Sequence, residues 1–238
     1  MAEALGWGAL SASSLVLGVL IAFARPWRPA LIGLVLAFGA GALISAVSFE
    51  LAEEGSRVGS PQSVGLGLAI GALTFYSAYE VIMRTRSRTR GPTSGVHSGD
   101  SLALGALLDG VPEQLVLGIG LASGEGISIA LVVAIFVSNL PEGIGASAAM
   151  IASGTPRTKI IRLFLAVALV CTLASGLGFA IGDSISGEYQ AVVNGFAAGG
   201  LLVMLIDSMI PEAREKAGRP AGLAAVVGFA LASALSGV

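Results

Sequence analysis

Long apolar runs separated by short polar connections make up nearly the whole chain. Eight runs stand out, at about 7–24, 30–50, 63–83, 101–122, 127–150, 161–182, 189–210 and 220–238. A helix needs about 20 mostly apolar residues to cross the hydrocarbon core of a bilayer, and each run is close to that length. Backbone in lipid satisfies its own hydrogen bonds only as a helix or a closed barrel. Barrel strands alternate apolar and polar positions over roughly ten residues. These runs do not alternate, so the pattern predicts an all-α polytopic membrane protein of eight transmembrane helices, one transmembrane domain over 1–238.

Composition supports the same class. Hydrophobic residues make up 55% of the chain and charged residues 12%, against roughly 25% charged in a soluble domain. Mean hydropathy is +0.88. The partner this implies is the lipid bilayer; no nucleic acid is expected.

Charge placement orients the helices. Arg25 and Arg28, then Arg84, Arg86, Arg88 and Arg90, then Arg157, Lys159 and Arg162, then Arg214, Lys216 and Arg219 all fall on one side of an eight-span chain. The other side holds Arg57 with Glu53, Glu54, Glu125, Asp183 and Glu188. Lys and Arg collect on the cytoplasmic side. Both termini are therefore expected outside the cytoplasm, with the polar stretch 84–100, which contains His97, as a mobile cytoplasmic loop. No basic segment precedes the first run, so that run is expected to stay as an anchor. Short loops and an Ala/Gly/Arg-rich composition point to a prokaryotic inner (cell) membrane. Cys171, the one cysteine, lies inside the sixth run and is expected to pack as a small apolar side chain.

Two internal resemblances follow. The second run reads FGAGALISAVSFELAEE from Phe38, and the seventh reads FAAGGLLVMLIDSMIPE from Phe196. At one offset Phe38, Ala40, Gly41, Leu43 and Glu54 match Phe196, Ala198, Gly199, Leu201 and Glu212. The two runs cross in opposite directions, so an inverted repeat is expected, a recurrent transporter plan. The fourth run contains LLDGVPEQ (Leu107 to Gln114) and the fifth VSNLPEGI (Val137 to Ile144). Both place Pro-Glu near mid-span.

That pair carries the candidate chemistry. A charge at the bilayer centre costs about 2.5–3.5 kcal/mol on insertion scales, yet Asp109, Glu113 and Glu142 all fall there. No Lys or Arg lies at matching depth in any run. The acids must be protonated, hydrated or paired with a cation from outside. Asp109 and Glu113 share a helix face by their spacing, as does Glu142 with Asn139, three residues before it, and with Ser138, four before it. Pro112 and Pro141 would each release a backbone carbonyl, of Leu108 and Val137. Carboxylate, amide and carbonyl oxygens suit a hard divalent ion such as Mg²⁺ or Mn²⁺. Ser45, Glu50 and Asp207 are secondary candidates for lining a pathway. Two rival readings are a proton-coupled carrier of an organic solute and an intramembrane enzyme with Asp109 and Asp207 as an acid dyad. No nucleophile stands beside a base, so an enzyme is not expected.

These residues resemble the ZIP (Zrt/Irt-like) family of divalent-metal transporters. The family pattern His-Asn-x-Pro-Glu-Gly in span four reads here Asp109-Gly110-Val111-Pro112-Glu113-Gln114, and the span-five motif reads Ser138-Asn139-Leu140-Pro141-Glu142-Gly143. IPEA, from Ile210 to Ala213, is also similar to the family. The resemblance implies a ZIP-like bundle and uptake of a metal such as zinc, manganese or iron into the cytoplasm by alternating access. The metal would be transported substrate, with no prosthetic group, and the carrier a homodimer. By position it implies metal binding by Asp109, Glu113 and Glu142, with Asn139 and Ser138 assisting. Asp109 stands where the family has His, and Gly110 where it has Asn. The loss of His favours a harder ion than zinc.

Overall fold

Among the described residues the apolar sequence folds into eight helical rods. The structure is a computed structural model that describes residues 1–89, 99–122, 127–183 and 187–235. Side chains at 82–89, 99–104, 108–109 and 183 are outside that description. The rods are α1 (Ala2–Ala24), α2 (Pro29–Val58), α3 (Pro61–Thr89), α4 (Gly99–Ala122), α5 (Ile129–Ala152), α6 (Arg157–Asp183), α7 (Glu188–Ala217) and α8 (Pro220–Leu235). Seven are long and apolar enough to cross a membrane; α8, with 16 residues, is shorter. Among the described residues there is no strand, and the protein is an all-α, multi-pass membrane protein. His97, most of the predicted loop 84–100, Glu125 and the last three residues of the predicted eighth run lie outside the described residues.

Local chemistry sets the helix ends. Pro29, Pro61 and Pro220 open α2, α3 and α8, where a missing N–H costs nothing. Gly154 and Gly218, at φ +78° and +65°, follow the ends of α5 and α7, a conformation that side chains with a Cβ avoid. At the basic end Arg25 stacks 4.3 Å over the Trp27 ring and Arg157 5.1 Å over Phe23. Such cation–ring pairs sit well at a membrane–water boundary.

The rods pack in two groups. α1, α4, α5 and α6 contact one another, while in the second group α2 and α7 contact each other and both α3 and α8. The groups meet through α2 and α8 on α5 and through α4 on α7, around Leu43, Leu51, Leu117, Ile135 and Leu201. A second core of Leu15, Met150, Ile160 and Phe164 fills the first group. Lipid tails are as apolar as leucine, so close packing over small residues, rather than expulsion from water, holds such helices together.

The internal repeat extends to this packing. A Cβ on Gly228 of α8 would lie 2.0 Å from the Phe38 carbonyl oxygen of α2, and one on Gly71 of α3 would lie 1.9 Å from the Phe196 oxygen of α7. Phe38 and Phe196 are the residues the repeat equates. In the first group Gly18 faces the Leu140 oxygen and Gly178 the Leu115 oxygen, tying α1 to α5 and α6 to α4. Exchanging α1 with α6, α2 with α7, α3 with α8 and α4 with α5 maps each of these contacts onto its counterpart. Each of α2 and α7 also carries a π-helical segment, Val47–Glu53 and Leu205–Met209. Both segments begin at the repeat's own offset, so the extra backbone residue per turn is part of the repeated unit. π segments of this kind occur often at functional positions.

Candidate metal centre

α4 and α5 pack on each other and each carries Pro-Glu inside an unbroken helix, at Pro112-Glu113 and Pro141-Glu142. Glu113 is fully buried. The Ser138 hydroxyl lies 3.1 Å from Glu113 Oε1 and 2.9 Å from the Ile135 carbonyl oxygen. With one proton it donates to one of them at a time, which lets Ser138 follow changes at Glu113 without losing its own partner. A Cβ on Gly39 would lie 2.8 Å from the Ser138 Cα, so α2 closes directly over this level of α5.

Asn139 is also fully buried, and neither its Oδ1 nor its Nδ2 has a hydrogen-bond partner among the described residues. An unsatisfied buried polar group costs about 1–3 kcal/mol. A ligand on the amide oxygen would offset that cost. Glu142, one turn on, is only partly buried. Asp109 occupies α4 one turn before Glu113, and its side chain lies outside the described residues. Among the described residues no three His, Cys, Asp or Glu side chains form one cluster. The set in view is two carboxylates, one amide and one hydroxyl.

Cys171 of α6 is fully buried and packs against α4, as a small apolar side chain would. A Cβ on Gly110 would lie 2.8 Å from its Sγ, so the thiol occupies room that a side chain at 110 would need. A glycine at 110 and a cysteine at 171 are thus one packing solution, legible in the sequence only as two unrelated residues.

Gln114 ends the span-four motif, and its partner lies on a helix distant in sequence. It is fully buried, and its Nε2 donates to Ser11 Oγ of α1 at 2.7 Å. Ser175 of α6 donates to the Ala4 carbonyl oxygen of α1 at 3.0 Å. These bonds hold α1 against the helices beside the site. Ser11 carries little signal in the sequence, because serine is common at helix contacts.

The secondary candidates are dispersed. Ser45 lies in the α2–α8 contact, its hydroxyl 3.0 Å from that of Ser233. Glu50 falls in the π segment of α2, partly buried, and Asp207 in that of α7, exposed.

Residues 86–236 match the family described as ZIP zinc transporter. The match covers more than half of the chain and includes both Pro-Glu motifs. The curated protein named "Putative zinc transporter At3g08650", from Arabidopsis thaliana, is 27% identical over 205 residues, which cover 84% of this chain and 33% of that protein. The chain therefore spans about a third of the length of that relative.

Proposed function

This chain belongs to the ZIP zinc transporter family, and on that premise we propose that it carries divalent metal ions across the membrane, with the ion held between α4 and α5. Members of the family are transporters and not enzymes, which removes the acid-dyad reading. In our reading Glu113 and Glu142 bind the ion, Asn139 contributes its amide oxygen, Ser138 tunes Glu113, and Asp109 completes the set. Uptake runs toward the basic, cytoplasmic side by alternating access, the α1/α4/α5/α6 group moving against the α2/α3/α7/α8 group. Pairing of two copies belongs to the same proposal. The observation that carries the reading is the Asn139 amide, buried beside Glu113's partner Ser138 with neither of its polar atoms partnered among the described residues.

Asn139→Leu separates that role from packing. It removes the unpaired amide, so the metal-free protein should gain about 1–3 kcal/mol in stability. It should also lose the upward shift of its melting temperature on adding Mn²⁺. Thermal unfolding in detergent with and without Mn²⁺ reads both. A variant less stable than the original that keeps its metal shift would show that Asn139 is a packing residue.

Ion preference tests the donor set. Oxygen ligands distinguish first-row divalent ions less sharply than imidazole or thiolate do. Reconstituted in liposomes, the protein should take up Mn²⁺ within about ten-fold of Zn²⁺. Zn²⁺ and Cd²⁺ exceeding Mn²⁺ by more than about a hundred-fold would require a soft donor, and Cys171 is the one thiol in the chain. Absence of uptake for every ion would reject the transport reading.

A further inference from the structure

Lys216 lies at the basic end of α7, its side chain 26% exposed, and runs along α2 toward α5. Its Cβ passes Gly33 of α2, where an added Cβ would come within 2.7 Å. Its Nζ lies 3.1 Å from where a Cβ on Gly145 of α5 would be. The side chain thus spans from α7 across α2 to α5. Two glycines form the slot that admits it, and a side chain at either position would crowd it. Nζ donates to Glu212 Oε1, one turn back on its own helix.

Lysines at a membrane boundary ordinarily extend toward the headgroups and water. This one lies along the neighbouring helices instead, only partly exposed, with its ammonium beside Gly145 of α5. Gly145 follows Glu142 by three residues, so both lie on one face of α5. The ammonium is therefore about one helical turn from the level of Glu142, on its basic-end side. An ion leaving Glu142 toward that end would meet a positive charge before it met water. Glu212 offsets part of that charge and holds the ammonium in place.

We propose that Lys216 is a tethered cation that competes with the transported ion for the field of the Glu142 carboxylate, with Glu212 holding it back. The proposal rests on Glu142 being part of the ion site. When the ion is bound, the ammonium stays with Glu212. When the ion has left, the ammonium partly replaces its charge, which discourages rebinding from the basic end. Lys216 then acts as a positioning charge that sets affinity, and it is not itself a ligand.

The test is Mn²⁺ binding to the full-length protein in detergent, measured by calorimetry. Lys216→Gln should tighten binding about ten-fold, since two like charges in a medium of intermediate dielectric repel appreciably at this range. Lys216→Arg, which keeps the charge, should bind as the original does. Glu212→Gln should weaken binding, because the ammonium is then held less tightly. The double variant Lys216→Gln/Glu212→Gln should match Lys216→Gln alone. A merely structural role for the pair would not produce opposite signs that collapse to one value in the double variant. Unchanged affinity in Lys216→Gln, with binding abolished in Glu142→Ala, would overturn the proposal and leave the site standing. Normal binding in Glu142→Ala, or no Mn²⁺ binding by the unaltered chain, would overturn the site reading and this proposal with it.

Discussion

Replacing Glu113 and Glu142 together with alanine is expected to abolish saturable metal uptake while leaving the protein in the membrane. Both carboxylates sit within helices that cross the hydrocarbon core, where a charge costs about 2.5–3.5 kcal/mol on insertion scales. Their removal cannot impair insertion on that ground. What is lost is the negative charge that an ion would meet. Interactions with charged groups contribute about 1.5–3 kcal/mol each, so two of them predict at least about a hundred-fold loss of affinity. Radiotracer uptake into liposomes, beside a thermal unfolding curve for each preparation, checks the result. Glu113→Ala alone should also release Ser138, whose hydroxyl would then keep only the Ile135 carbonyl as acceptor. Uptake that survives the double change with an unaltered KM would place the ion elsewhere in the protein.

The second large effect concerns the two glycines at corresponding crossings. Gly71→Leu and Gly228→Leu should each strongly destabilise the bundle, and by similar amounts. A Cβ at 71 would stand 1.9 Å from the Phe196 oxygen and one at 228 would stand 2.0 Å from the Phe38 oxygen. Both obstacles are backbone, which cannot rotate aside, so the helices must separate. Overpacking of a tight contact typically costs about 1–3 kcal/mol. Displacing two helices along their contact puts these variants at or above the upper end. Gly65→Leu is the control, since nothing lies within 4 Å of a Cβ there. Melting temperatures in detergent should fall for the two variants and hold for the control. Equal stability of Gly71→Leu and Gly65→Leu would mean that α3 and α7 do not approach as closely as described.

The near-equality expected of those two variants reflects the repeat, which the sequence displayed as five matched positions between α2 and α7. In so Ala-, Gly- and Leu-rich a chain, five matches are a weak signal. Packing strengthens it, because Phe38 and Phe196 meet glycines of different helices in the same way, and the π segments begin at matching positions. A π segment is not visible as a pattern of residue types, since it changes the hydrogen-bond register by one residue without requiring any particular side chain.

The order of eight apolar helices, the clustering of basic residues in alternate connections and the paired Pro-Glu motifs of α4 and α5 were all determined by the sequence alone. The reason is that hydrocarbon imposes its demands locally: each span must be apolar, of sufficient length and internally hydrogen-bonded, whatever its neighbours do. Which helices touch was not determined in this way. That Cys171 fills the space beside Gly110, that Gln114 binds Ser11 of α1, and that Lys216 reaches from α7 across Gly33 to Gly145 were decided only by the tertiary structure. Each depends on contacts between residues far apart in the chain, and on long side chains whose charged ends lie well away from their own Cα positions.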